Sequence, residues 1–184
     1  MEKIEEIIKR INNNTKTELP KDVEWKEFFV GDILDCKTTK PLIHTRSGIY
    51  NYVTRSGINN GVSDFVDNNN YELNKSNCIT IGAEGAIAFY QNKDFVSGVK
   101  VYTLRHEKMN KNIGLFLCTI LNKKSSEYSY SNARILDKIK KEKIFLPSKN
   151  NEPDWEYMDK FIESTRMAMR LDFSTHTHTH THTP

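Results

Sequence analysis

The side chains of this chain with chemistry to offer are cations, amides and phenols. Residues 37–63 hold no Asp or Glu, yet Lys37, Lys40, Arg46 and Arg55 all fall there, interleaved with Tyr50 and Tyr52. A second set runs Tyr128, Tyr130, Asn132, Arg134, Lys138, Lys140 and Lys141. Arg and Asn can make paired hydrogen bonds to guanine and adenine edges, and Lys and Ser fix register through phosphates. An unopposed cationic window also makes a local positive field that attracts phosphate. A solvated basic surface has the same composition, so composition does not separate the two readings. The formal net charge of +3 is modest, and the distribution of the charges says more than their sum.

Catalytic constellations are missing from the pattern. An adenosyl-dependent methyltransferase needs a Gly-rich strand-to-helix turn and, for base amino groups, an Asn/Asp-Pro-Pro-aromatic tetrad; neither is in the sequence. Pro153-Asp154 could open a metal-nuclease signature, but no acidic-x-Lys follows to complete the ligands. Gly82 to Gly85 is too short for a phosphate-cradling GxxxxGK[ST] loop. Cys36, Cys78 and Cys118 are odd in number and form no CxxC, which predicts buried reduced thiols rather than disulfides or zinc. Cys118 reads as helix packing, not as a nucleophile. Glu84, between glycines in a tight turn, reads better as a solvated turn residue than as a functional carboxylate. His176, His178, His180 and His182 alternate with threonine in a tract that reads as a purification tag, leaving His44 and His106 and no histidine metal site. The expectation is no catalytic residue, no metal and no cofactor.

The elements that must carry the cations follow from periodicity. In 77–104, Ile79 and Ile81 alternate with Cys78 and Thr80, and Ile87 and Phe89 with Ala86, Ala88 and Tyr90, the period of half-buried strands. Gly82 and Gly85 can take positive φ, which predicts a hairpin with a four-residue connection. Val99, Val101 and Thr103 predict a third strand. Further strands are expected near 25–30, 50–54, 62–66 and 143–146, the last stopped by Pro147. Asn59-Asn60-Gly61 is a turn signal, and Asn68-Asn69-Asn70 another loop. Ile113, Phe116, Leu117, Ile120 and Leu121 predict a core helix over 113–122 behind an Asn112 cap. A second helix is expected over 132–141, with Ser131 as cap, Ile135 and Ile139 on one face and its N-terminal amides aimed at a phosphate. Asp154 can cap a last helix with Met158, Phe161, Ile162, Thr165 and Met169 along one side, a stripe that needs a partner surface. Ile4, Ile7, Ile8 and Ile11 predict a short amphipathic helix over 2–11.

One α+β domain follows, with a curved, mostly antiparallel sheet, packed helices and amphipathic terminal helices. Its expected parts are an N-terminal helix and linker (1–19), the domain (20–150), a C-terminal helix (151–173) and the His-Thr tail (174–184). The start MEKIEEIIKR is too charged for a signal peptide and no apolar run would span a bilayer, so a cytoplasmic location is expected.

The succession Trp25 to Ile33, then Tyr52-Val53-Thr54 with Asn60-Gly61-Val62, then ITIGAEGAIAFYQNKDFVSGVKVYTL, ARILDKIKKEKIFLP and EPDWEYMDKFIES resembles the target recognition domain of type I restriction-modification specificity subunits. It is also similar to recognition domains of related type II restriction-methylation enzymes, through the ending Pro153-Asp154-Trp155-x-Tyr157-Met158. The similarity covers about residues 20–165. It implies a non-catalytic α+β module that reads one half of a split DNA target, followed by a helix that docks methyltransferase subunits. This chain lacks the second recognition domain and long spacer helix of that family, which fits either a half-subunit that dimerises or an excised domain.

On that footing the expected partners are double-stranded DNA, a methyltransferase (modification) subunit, a restriction subunit and a second copy through the terminal helices. Lys37, Lys40, Arg46, Arg55, Arg134 and Lys138 are the expected DNA contacts, and Asn59, Asn60, Tyr130 and Asn132 the expected base readers. Met158, Phe161, Ile162 and Met169 are the expected docking side chains. The alternative is an interaction or assembly protein that binds a protein partner through its terminal helices.

Overall fold

The computed structural model describes residues 19–177, apart from Lys21, together with Glu6, Lys9 and Asn13. The apolar stripe of the expected helix over 2–11 lies outside the described residues, as does the tail from residue 178.

Strand β1 (Glu24–Phe29) leads directly into a single helical turn, α1 (Val30–Ile33), and then β2 (Asp35–Thr38). Strands β3 (Ser47–Val53) and β4 (Val62–Val66) flank the 54–61 loop. Next come β5 (Cys78–Gly82), β6 (Ala88–Gln91), β7 (Phe95–Ser97) and β8 (Val101–Arg105). Helix α2 (Lys111–Asn122) and the short α3 (Leu136–Lys141) precede β9 (Lys143–Lys149) and β10 (Glu152–Pro153), and α4 (Trp155–Thr177) ends the described chain.

The strands form three sheets, not one: β1-β9-β10, β2-β8-β5-β6 and β4-β3-β7. All pairings are antiparallel except β3 with β7. The four-stranded sheet is central. Every residue of β5 is buried, so Ile79 and Ile81 are sealed together with Cys78 and Thr80 rather than alternating with exposed positions. Ile113, Phe116, Leu117 and Leu121 of α2, Ile144 and Leu146 of β9, and Trp155 and Met158 of α4 complete this core. A smaller core of Val53, Cys78, Phe95 and Val101 joins the β4-β3-β7 sheet to it.

Several boundaries differ from expectation. Helix α2 is capped by Asn110, whose Oδ1 accepts from Ile113 N at 2.9 Å. Asn112 instead donates to Asp159 Oδ1 at 2.8 Å, tying α2 to α4. The expected strand around 99–103 begins at Val101, with Val99 exposed in the preceding turn. Pro147 lies inside β9 opposite Trp25; its carbonyl, which proline keeps, accepts from Asp154 N at 2.7 Å. Asp154 then caps α4 as expected, accepting from Tyr157 N at 2.9 Å. That helix runs to Thr177, four residues past its expected end at 173.

His106 stacks on Trp155 at the start of α4, with ring centroids 4.1 Å apart and 18° between planes, and its Nδ1 accepts from Lys108 N. Burial is the largest cause that holds its pKa below the ordinary 6.5; Glu107 opposes the shift and Lys108 adds to it. The neutral ring is therefore favoured on folding, and below pH 6.5 the unfolded chain takes up the proton first. Stability is expected to fall as pH drops from above 6.5 through the lowered folded value. Thermal melts from pH 7.5 to 5 should show a steeper loss for the parent than for His106→Phe, which keeps a stacked ring without a proton site.

Candidate nucleic-acid interface

The centre of the site is the connection between β5 and β6. Ala86, not a glycine, takes the left-handed backbone there, with φ 54°. Gly82 and Gly85 serve close approach instead: a Cβ on Gly82 would lie 2.4 Å from Arg55 Cα, and one on Gly85 2.2 Å from Arg55 O. The 54–61 loop can therefore lie directly against this turn. Glu84 fixes the contact from the side, its carboxylate 2.5 Å from the Arg55 guanidinium and 3.4 Å from Lys100 Nζ. Two cations against one acid leave a local excess of one positive charge.

The 54–61 loop is closed by its own bonds. Thr54 N donates to Gly61 O at 2.8 Å, and Gly61 N to Ile58 O at 2.9 Å. Asn59, Asn60 and Gly61 all have positive φ, which asparagine and glycine tolerate better than other residues. Asn60 Nδ2 donates to Tyr90 O and Gln91 Oε1, both at 3.3 Å, while the buried Gln91 returns a bond to Asn60 O at 3.0 Å and holds Thr80 Oγ1 at 2.9 Å. Asn60 is thus committed to holding the loop, which counts against its expected role as a base reader.

Backbone pairing sets Lys40 near the turn end of the central sheet and Lys37 at mid-strand. Lys37 lies opposite Thr103 on β8, and Thr39, next to Lys40, donates to Val101 O. Lys37 also pairs with Asp35 at 2.6 Å. Lys100 completes this group and was not foreseen, because its place follows from the Ala83 N to Lys100 O bond between turns far apart in sequence. On the other flank of the β5–β6 turn, Arg134 N donates to Ala83 O. That bond positions the exposed Tyr130 and Asn132 and, through its bonds to Asn132 Oδ1 and Ala133 O, Lys138.

Three expectations fail. The Arg134 side chain is 0% exposed and bonds Glu142, Ala86 O and Leu121 O, so it belongs to the interior and is closed to a ligand. Asn132 sits in a turn and α3 begins at Leu136, so no helix N-terminus stands at Asn132. Met158 is fully buried core rather than a docking side chain, whereas Phe161 and Ile162 are half-buried against the core and Met169 is exposed. Arg46 and Arg55 are not brought together: they bracket β3, whose length is about 20 Å at roughly 3.3 Å per residue. Arg46 is exposed beside the 67–70 loop, where Asp67 N donates to its carbonyl.

No group of His, Cys, Asp and Glu suited to a metal occurs among the described residues. Burial pushes the thiols of Cys36 and Cys78 up to about 11 and that of Cys118 up to about 12, so none is a ready nucleophile at neutral pH. No described helix is long and apolar enough to cross a membrane.

This architecture defines a class. The S subunit of a type I restriction-modification system from M. genitalium is similar over 96% of this chain and 49% of its own, with TM-score 0.61 and 15% identity. The HsdS subunit from Thermoanaerobacter tengcongensis is similar over 97% and 46%, with TM-score 0.55 and 10% identity. In sequence, the chain is 28% identical over 158 residues to the type II restriction enzyme specificity subunit S.BcgI of Heyndrickxia coagulans, covering 82% of this chain and 46% of that protein. The chain spans about half the length of each of these relatives. Residues 22–170 match the family described as type I restriction modification DNA specificity domain, and the chain belongs to that family. The curated relative is named as a specificity subunit and the two solved structures as S subunits.

Proposed function

We propose that this chain reads one half of a bipartite duplex DNA target and directs modification and restriction subunits to it, adding no catalysis of its own. The observation that carries the reading is the junction at the β5–β6 turn, where Arg55 and Lys100 share Glu84 and the exposed tips of two loops flank the same turn. Lys37, Lys40, Arg55 and Lys100 supply phosphate contacts on one side, and Lys138 does so on the other. Tyr130, 89% exposed, and Asn132 are offered to bases, and Arg46 extends the contact along β3.

Protein partners are read from α4. Met167 and Met169 are 48% and 57% exposed beyond the residues that seal the central core, while Ala168 between them packs against the small cluster of Leu19 and Tyr157. The docking surface for a modification subunit, or for a second copy, is placed there. Phe161 and Ile162 form its inner edge.

Salt-dependent binding tests the DNA reading. Each lost phosphate contact reduces the slope of log K against log salt by about 0.9 on duplex DNA. The triple variant Lys40→Gln, Arg55→Gln, Lys100→Gln should bind every duplex more weakly and show a slope smaller by about 2 to 3. Fluorescence anisotropy from 50 to 200 mM salt reads both quantities. Parental affinity and slope in the triple variant would reject this surface.

A further inference from the structure

We infer that the 54–61 loop is a preformed base-reading element, and that Ile58 and Asn59 at its tip are specificity-determining side chains. This deepens the DNA-reading function proposed above and rests on it.

The first argument is which groups the loop has left to offer. Ser56 Oγ is used within the loop by Ile58 N and O, Thr54 Oγ1 by Ser56 N, and the Asn60 amide by Tyr90 O and Gln91. The Asn59 side chain makes no hydrogen bond among the described residues, and Asn59 is exposed. Ile58 is 69% exposed although it adjoins a well-packed sheet. An aliphatic side chain and a free amide on consecutive residues match a thymine methyl and an adenine edge, the two features that apolar and amide groups read in the major groove.

Rigidity is the second argument. A residue that discriminates bases must be held by its support, or binding orders it at an entropic cost. Here the loop is closed by backbone bonds, pinned through Asn60 to buried Gln91 and pressed onto the glycines of the β5–β6 turn. Charge names the occupant. The loop lies within the acid-free 37–63 window, and its one cation, Arg55, shares a single acid with Lys100, so the tip stands in a net positive field suited to a nucleic acid.

The test is selection from a randomised duplex library by the full chain and by Ile58→Ser, Ile58→Leu and Asn59→Gly. Glycine keeps the positive φ of residue 59, and Ile58 is exposed in extended backbone, so these variants are expected to fold, which melting curves check. The serine and glycine variants should lose preference at one or two adjacent positions of the parental motif, by about tenfold or more. Affinity for a fixed unrelated duplex and its salt slope should stay within about twofold, and Ile58→Leu should retain the motif. An unchanged motif in the serine and glycine variants, or an equal loss on all sequences, overturns the inference while the DNA-reading function stands. A parent that binds duplex but enriches no motif overturns it too. A parent that binds no duplex removes the function itself.

Discussion

Arg134→Leu is expected to destabilise the domain by about 3–5 kcal/mol, the scale seen when one member of a buried ion pair is removed and its partner keeps its charge. The guanidinium meets the Glu142 carboxylate in a fork, Nε to Oε1 at 2.8 Å and Nη2 to Oε2 at 2.6 Å. Its remaining donors satisfy Ala86 O at 2.6 Å and Leu121 O at 3.0 Å, and Tyr128 OH closes the network on Glu142 at 2.8 Å. Truncation would leave the Glu142 carboxylate with Tyr128 OH alone and strip the Ala86 carbonyl of its donor inside the core, while Leu121 O keeps its bond from Lys124 N. Lysine should not rescue, since a single ammonium cannot reproduce the planar fork. The double variant Arg134→Leu, Glu142→Leu should recover part of the loss, because the stranded charge is gone while the Ala86 carbonyl still lacks its donor. Urea denaturation of the three variants reads these differences. A loss under about 1 kcal/mol for Arg134→Leu would show that the fork contributes little to stability.

That arginine marks where sequence reasoning stopped. Lys37, Lys40 and Arg134 carry the same formal charge, and nothing local separates a cation that faces solvent from one sealed by Glu142 eight residues later. The expected helix start at Asn132 failed for a related reason: backbone bonding of Arg134 to Ala83 holds 129–135 in turns, overriding local propensity until Leu136. What local chemistry controls was legible. The Asn59-Asn60-Gly61 turn, β4 and the Asp154 cap all lie where the residues placed them. The central hairpin was expected for a wrong reason. Gly82 and Gly85 were assigned to positive φ, but that conformation belongs to Ala86, and the glycines are required by a neighbour some 30 residues earlier, which no period in the sequence announces. The α4 stripe mixed two roles. Met158 and Met169 lie on one helical face, yet one is fully buried and the other exposed, because the core ends partway along the helix.

Gly85→Ala should be the second large effect, costing about 1–3 kcal/mol, the usual scale for overpacking and more if nothing can move aside. The nearest atoms to the new methyl are Arg55 O at 2.2 Å, Gly57 N at 3.0 Å and Ser56 C at 3.1 Å, all backbone. No rotamer change relieves such a contact, so the 54–61 loop must lift from the turn or the turn must distort. Gly82→Ala meets Arg55 Cα at 2.4 Å, the same stretch of chain, so the double variant should cost less than the sum of the two singles. Gly57→Ala is the internal control: its closest neighbour is Ile87 Cγ1 at 3.4 Å, ordinary contact, and stability should change little. Chemical denaturation orders the four proteins. Because lifting the loop separates Arg55 from Glu84, Gly85→Ala should also bind unrelated duplexes at least as tightly as the parent, with the guanidinium freed, while losing preference among sequences. A Gly85→Ala protein as stable as Gly57→Ala would mean that the loop and the turn do not touch, and the rigid platform under Ile58 and Asn59 would be lost with that contact.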